Sequence, residues 1–211
     1  MARKKKVIEL PKGYLSYSQC QMWKTNKDRY IKKYIELRED LNFDNQSMKY
    51  GKVVADALEN EVHVEDALTD TMMFMLKKYD IRDKEDVVEF KTDFGWLTLF
   101  FKPDTFDSVT KDFREYKTGK VKWTQGKAEK HFQLKFYALC IYLKYKHITD
   151  ITYLDWIETE DYNDMIRPTG KLTSFKVCVG IKTILETLKE VIEIAKEIET
   201  VYLTHKKEAL W

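Results

Sequence analysis

Apolar residues keep a helical period over most of the first eighty positions and then drop to a period of two. Over 14–37, Trp23, Tyr30, Ile31 and Tyr34 recur at helical spacing behind Ser16 and Ser18, either of which suits an N-cap. Lys24, Lys27, Arg29, Lys32 and Lys33 are interleaved with them. Over 47–64, Val54, Leu58 and Val62 define one helical face with Ala55 beside it, and Asp56, Glu59, Asn60 and His63 fall on the adjoining face. Ala67, Leu68, Met72, Met75 and Leu76 predict a third helix over 65–79, with the methionines as core. A short strand over 87–91 follows, then a turn at Asp93-Phe94-Gly95 and a strand over 96–102. That strand is apolar on both faces, which predicts a central place in its sheet. A turn at Asp107-Ser108-Val109-Thr110 leads to a third strand over 113–118. A long helix is expected over 128–145, strands over 151–157 and 172–179, and an amphipathic helix over 181–203. The acidic stretch 158–170, with Pro168, reads as a loop or flap.

This order predicts an α/β fold: a central mixed sheet, with three antiparallel strands followed by a helix and further strands, flanked by helices. No repeat or low-complexity linker divides the chain, so 1–211 reads as one domain. Within it, 1–13 is a basic tail carrying Arg3-Lys4-Lys5-Lys6, 14–80 a helical part, 86–180 the sheet core and 181–203 a closing helix.

Composition sharpens this picture. With 44% hydrophobic and 14% aromatic residues, the 211-residue chain has the means for a substantial core. Seven Gly and three Pro favour long elements and short connections. A net charge of +2 excludes a polycation, so a nucleic-acid surface has to come from local segregation of charge. From 114 to 135 there are seven Lys/Arg and two Glu, whereas 53–76 and 150–164 each hold six acids and no Lys/Arg. Cys20, Cys140 and Cys178 are isolated, which fits neither a disulfide framework nor a zinc knuckle and suits a reducing compartment. No apolar run is long enough to span a membrane and no signal-peptide core is present, so no membrane partner is expected.

Candidate chemistry lies at the hairpin. Phe101-Lys102-Pro103-Asp104 ends one apolar strand, and Arg114-Glu115-Tyr116-Lys117-Thr118-Gly119-Lys120 forms the next. Period two puts Glu115 and Lys117 on one face and Tyr116 on the other. Antiparallel pairing of the two strands would bring Asp104, Glu115 and Lys117 together. Two carboxylates could hold a divalent cation with hard oxygen ligands, and the Tyr116 carbonyl could add a third. Lys117 could steady developing charge or orient water. A second Glu-x-Lys, Glu89-Phe90-Lys91 with Asp80 upstream, lacks an apolar strand leading into its acid.

Pro103-Asp104 and Glu115-Tyr116-Lys117-Thr118-Gly119-Lys120 resemble the acidic motifs of the PD-(D/E)XK nuclease superfamily, in its RecB-like and phage-type exonuclease branch. Gln133 and Tyr137, one helical turn apart, resemble that branch's Gln-x-x-x-Tyr element. Leu15-Ser16-Tyr17-Ser18-Gln19 with Arg29-Tyr30 and Tyr34 resembles its N-terminal motif.

The resemblance spans about 14–145 and implies a restriction-endonuclease-like core. It also implies a Mg²⁺- or Mn²⁺-dependent DNase of exonuclease type, in DNA recombination or processing in a bacterial or phage-infected cytoplasm, with a recombination or annealing protein as possible partner. A structure-selective endonuclease and a catalytically silent DNA- or protein-binding module are the alternatives. Asp104 and Glu115 would bind metal, Lys117 would serve the attacking water, and Gln133 and Tyr137 would position the scissile phosphate or simply pack the helix on the sheet.

Two departures stand out. Many relatives carry a metal-binding His four residues after a Gly on the helix before the sheet, where this chain has Gly51 and Ala55; Glu59 then becomes the candidate helix-borne ligand, ahead of Asp56 and His63. Asn26-Lys27 stands where iron–sulfur relatives place a Cys before Pro, so no such cluster is expected. Lys120, Lys122, Lys127 and Lys130 would contact DNA phosphates, and Trp123 would stack on a base or pack at a helix start.

Overall fold

The computed structural model describes residues 5–38, 46–60, 70, 86–107, 109–149, 151–163 and 165–208. The expected third helix over 65–79, His63 and Asp80 lie outside the described residues.

Strands β1 (Leu15–Ser16), β2 (Asp86–Lys91) and β3 (Trp96–Phe101) form one ladder in the order β1-β3-β2. Strands β4 (Thr105–Phe106), β5 (Phe113–Gly119), β6 (Thr152–Tyr162) and β7 (Met165–Val177) form a second, in that order. β3 is central, as its two apolar faces predict: β1 runs parallel to it and β2 antiparallel. β4 pairs antiparallel with β5, β5 parallel with β6, and β6 antiparallel with β7. The expected run of three mutually paired antiparallel strands is thus divided. The chain leaves β3 at Lys102-Pro103-Asp104 and resumes as β4 in the other ladder, Pro103 having no N–H to continue the first one.

Helices cover both faces. α5 (Phe132–Tyr145) is buried almost continuously from Phe132 to Ile141 and lies between the strands and α6 (Ile181–Glu208). Leu97, Leu99, Phe101, Phe113, Leu154 and Trp156 of the strands meet α5 in one core, and Ile184, Val191, Ala195 and Ile198 of α6 complete it. On the opposite face, α3 (Gln46–Asn60) sets Val54 against Ile157, with Tyr50, Tyr116 and Leu172 around them. The result is an α/β fold of mixed sheets flanked by helices. Among the described residues no helix is long and apolar enough to cross a membrane.

Four local expectations are corrected. The helix expected over 14–37 is divided into α1 (Tyr17–Thr25), α2 (Lys27–Tyr30) and a π-helical turn (Ile31–Ile35). Asn26 leaves helical geometry at φ −160° and its side chain accepts from Arg29 N–H at 2.9 Å, so it stops one helix by capping the next. The helix expected over 128–145 is interrupted as well: α4 (Gln125–Glu129) ends, and His131 (ψ 115°) starts α5 afresh.

The expected flap over 158–170 is the outer half of the β6–β7 hairpin. Pro168 is tolerated because β7 is an edge strand, and it pairs with Thr159 just past a register irregularity. Finally, residues 5–10 are not a solvated tail. Ile8 and Leu10 are buried, Ile8 N–H donates to Trp96 O and Trp96 N–H to Lys6 O, each at 2.9 Å.

This segment is clasped to α6. Glu9 N–H donates to the Glu199 carboxylate at 2.9 Å, and Lys206 Nζ to that of Glu9 at 2.8 Å. Nearby, the Trp23 indole of α1 donates to Glu197 at 2.9 Å.

Gly95 is where the N-terminal segment crosses β3 most closely. A Cβ built there would lie 3.1 Å from both Lys6 O and Ile8 Cγ1. Gly95→Ala is therefore expected to destabilise the fold by about 1–3 kcal/mol through overpacking. Urea denaturation measures this, and an unchanged midpoint would show that the segment yields freely.

Candidate active site

The alternation of β5 delivers its side chains as its sequence dictates. Phe113, Glu115 and Lys117 face α5, while Tyr116 faces α3 and packs with Val54 and Ile157. Pairing of Thr105 with Arg114 and Phe106 with Phe113 brings the bend at Asp104 alongside Glu115 and Tyr116. Asp104 Oδ2 accepts from the Tyr116 backbone N–H at 2.6 Å. The acid at the end of one strand and the Glu-x-Lys of the next thus converge.

Lys117 Nζ donates to Glu115 Oε1 at 2.6 Å and to Gln133 Oε1 at 2.9 Å. Gln133 Nε2 donates to Glu115 Oε1 at 2.5 Å and to Tyr137 Oη at 3.0 Å. Tyr137 Oη donates in turn to the Lys102 carbonyl at 2.8 Å. Gln133 and Tyr137 lie one turn apart on α5, so a single helix face ties the Glu–Lys pair to the strand end that leads into Asp104. Their role here is positioning: they fix Glu115 and Lys117 against the bend.

Electrostatics at the site are strained in a particular direction. Glu115 is 3% exposed, and its Oε2 is buried without a hydrogen bond. Burial, then the neighbouring Asp104 carboxylate, push the Glu115 pKa up to about 8, against the opposing pull of Lys117 and Gln133. Asp104 is solvent-exposed, yet protein crowds its carboxyl, and this desolvation raises its pKa despite Lys117 and the Tyr116 N–H. Burial alone would lower the Lys117 ammonium, but Glu115 and Asp104 outweigh it and raise its pKa.

An unbonded buried carboxylate oxygen beside a second carboxylate is a donor set suited to a hard divalent cation. Asp104 and Glu115 could supply two such oxygens. Among the described residues no group of three or more His, Cys, Asp or Glu gathers for metal binding. Glu59 belongs to the last turn of α3, but its side chain lies outside the described residues. Ala55 and Asp56 are exposed. Gly51 packs α3 onto β5: a Cβ there would meet Thr118 Oγ1 at 3.2 Å.

The basic block is less free than its sequence suggests. Lys120 is paired with Asp161, and Arg114 Nη1 binds the fully buried Asp155 at 2.7 Å. Lys122, Lys127 and Lys130 are exposed. Trp123 is 9% exposed and packs edge-on to His131 at 5.1 Å between ring centroids, with Lys127 Nζ 4.2 Å from its own centroid. It is the packing residue at a helix start, with too little open ring to take a base. The second Glu-x-Lys lies on β2, where exposed Glu89 pairs with Lys5. Cys20 and Cys140 are buried and free, and Cys178 is exposed.

Two further residues lie near the site: Tyr17, within the N-terminal motif, and His131, which carries no sequence signal of its own. Tyr17 at the start of α1 lies close enough for Lys117 and Glu115 to influence its phenol, which burial pushes upward. His131 packs against Tyr17 and Trp123; burial, then Lys117 and Lys127, hold its pKa down at about 4, so it is neutral at physiological pH. A cleft of about 410 Å³ opens beside Lys117, Gln133 and Tyr137 and runs to the 14–19 segment.

No protein-family model matches the chain, and no curated protein matches it. Among solved structures it is similar to one described as the crystal structure of SSO0001, at a TM-score of 0.50 and 12% sequence identity, over 86% of this chain and 76% of that one; at this identity the likeness is one of fold.

Proposed function

We propose that the chain is a Mg²⁺- or Mn²⁺-dependent deoxyribonuclease with a restriction-endonuclease-like core, acting in DNA recombination or processing. The observation that carries this reading is the convergence of Asp104, Glu115 and Lys117 at the β3–β4 bend, with Glu115 Oε2 buried and unbonded. The passage from an antiparallel pair (β4, β5) through α4 and α5 to a parallel neighbour (β6) supports it, as does the Gln133–Tyr137 link to the Glu–Lys pair.

Asp104, Glu115 and the Tyr116 carbonyl would hold the cation. Bound there, it would polarise a phosphoryl oxygen and make a coordinated water more acidic. Lys117 keeps a positive charge beside the carboxylates, able to orient a water or steady charge on the phosphate. Gln133 and Tyr137 lock the Lys117 and Glu115 rotamers, so the charges need little rearrangement when substrate arrives.

The purified chain is expected to digest linear DNA with Mg²⁺ and to stop when EDTA is added. Covalently closed circular DNA should remain intact if ends are required and become nicked if the activity is that of an endonuclease. Absence of any Mg²⁺-dependent cleavage on either substrate would overturn the reading.

A further inference from the structure

The β6–β7 hairpin is longer than the strand it leans on. β5 pairs with β6 only as far as Gly119 opposite Glu158. Four rungs continue past that end as a two-stranded arm: Thr159 with Pro168, Glu160 with Arg167, Asp161 with Ile166 and Tyr162 with Met165. The described acids at its base and along it are anchored differently. Glu158 accepts from Thr169 Oγ1 and pairs with Lys171 Nζ, each at 3.2 Å and each across the hairpin. Glu160 accepts from Arg167 Nε at 2.8 Å, and the same guanidinium lies 3.6 Å from the Tyr162 ring centroid. Asp161 reaches out of the arm instead. Both its carboxylate oxygens accept from Nζ of Lys120, the residue that follows β5. The side chains of Lys120 and Asp161 are 43% and 65% exposed, so water and solutes reach the pair.

Resting on the nuclease reading above, we propose that Asp161 stands in for a DNA phosphate, holding Lys120 in the free chain until the nucleic-acid backbone displaces it. The carboxylate offers the ammonium what a phosphodiester offers, two anionic oxygens on one centre. Lys120 stands three residues past Lys117, roughly 10 Å along the strand, so the phosphate it takes flanks the one at the carboxylates. An exposed ion pair shifts an equilibrium by no more than about fivefold, so this contact is weak enough to exchange. A phosphate arriving at Lys120 also meets Asp161 at close range, where salt screens least. Displacement therefore opposes binding twice, through the pair broken and the like charges brought together. A free anion competes poorly with a carboxylate already tethered beside the ammonium. A phosphate on a strand anchored at the metal-binding carboxylates is tethered too, and it competes on comparable terms. The arm thus acts as an autoinhibitory gate at the end of β5.

Anisotropy of a fluorescent DNA duplex in EDTA reads binding, and its digestion in Mg²⁺ reads cleavage. Asp161→Asn is expected to bind about three- to tenfold more tightly than wild type at low salt, with the gain shrinking as salt is added. Loss of any nearby negative charge would act in the same direction, so the deciding background is Lys120→Ala. There Asp161→Asn should gain less than about twofold, because the ammonium it releases is absent. Both positions are exposed, so thermal melts of each variant should match wild type. Affinity of Asp161→Asn equal to or below that of wild type would overturn the proposal. So would a gain just as large in the Lys120→Ala background, which would mark a net-charge effect. The expected gains without digestion by any variant would refute the nuclease reading and leave the displacement standing. Digestion by wild type with no gain on Asp161→Asn would refute the displacement alone.

Discussion

Replacing Glu115 by Gln is expected to reduce Mg²⁺-dependent DNA hydrolysis by about 10³-fold or more, while leaving the fold at least as stable as wild type without metal. The two effects have one cause. Glu115 is a carboxylate enclosed by protein and placed against a second carboxylate, an arrangement that opposes its ionisation. Gln is nearly isosteric and retains an oxygen at Oε1 for Lys117 and Gln133 to donate to. It removes the charge that burial resists, and with it the anionic ligand the cation requires. A merely structural Glu115 would behave oppositely, losing stability with its ion pair. Linear-DNA digestion and thermal melting of the same variant separate the two, and retention of a tenth or more of the activity would sink the site assignment.

Without divalent cation, stability is expected to fall as pH rises from about 4.5 to about 8, and excess Mg²⁺ should counteract the fall. The folded-state pKa of Glu115 is raised to about 8 from an ordinary value of 4.5. Below 4.5 both folded and unfolded chains hold the proton. Between the two values the folded chain keeps a proton that the unfolded chain has released. Each such pH unit then costs about 1.4 kcal/mol for one proton, and the loss levels off above the folded pKa. The raised Lys117 pKa acts only at higher pH, above its ordinary 10.5, and does not enter this window.

Metal must displace the proton that Glu115 keeps, so its apparent affinity should rise about tenfold per pH unit up to roughly pH 8 and then level. Thermal melts across this range in EDTA and in Mg²⁺ measure both slopes, with Glu115→Gln as the reference that keeps only the part due to Asp104. A wild-type slope identical to that of the variant would mean that Glu115 ionises normally.

The legible parts of this site are those set by local periodicity. Alternation in 113–118 is enough to place Glu115 and Lys117 together, and a helical turn is enough to place Gln133 over Tyr137. Pro103 marks where β3 has to leave its ladder, and the strand does leave there. The illegible parts depend on contacts distant in sequence. The cleft exists because Leu15 pairs with Leu99, a register no local pattern encodes.

Charge blocks misled for a related reason. The basic run after 114 and the acidic run after 150 are separate in sequence, but β5 and β6 are parallel neighbours, so Arg114 meets Asp155 and Lys120 meets Asp161. The polar outer half of the β6–β7 hairpin resembles a loop because much of it faces water.

The clasp between the N-terminal segment and α6 bears on how the chain comes to be folded. Glu9 and Lys206 are separated by 197 positions, Glu9 and Glu199 by 190 and Trp23 and Glu197 by 174, so these contacts close the longest loops in the molecule's described hydrogen bonding. The segment before β1 is thus completed by a helix nearly two hundred positions later. Until α6 is present, the side of α1 that carries Trp23 lacks its final cover. Contacts so distant in sequence favour slow completion of the fold.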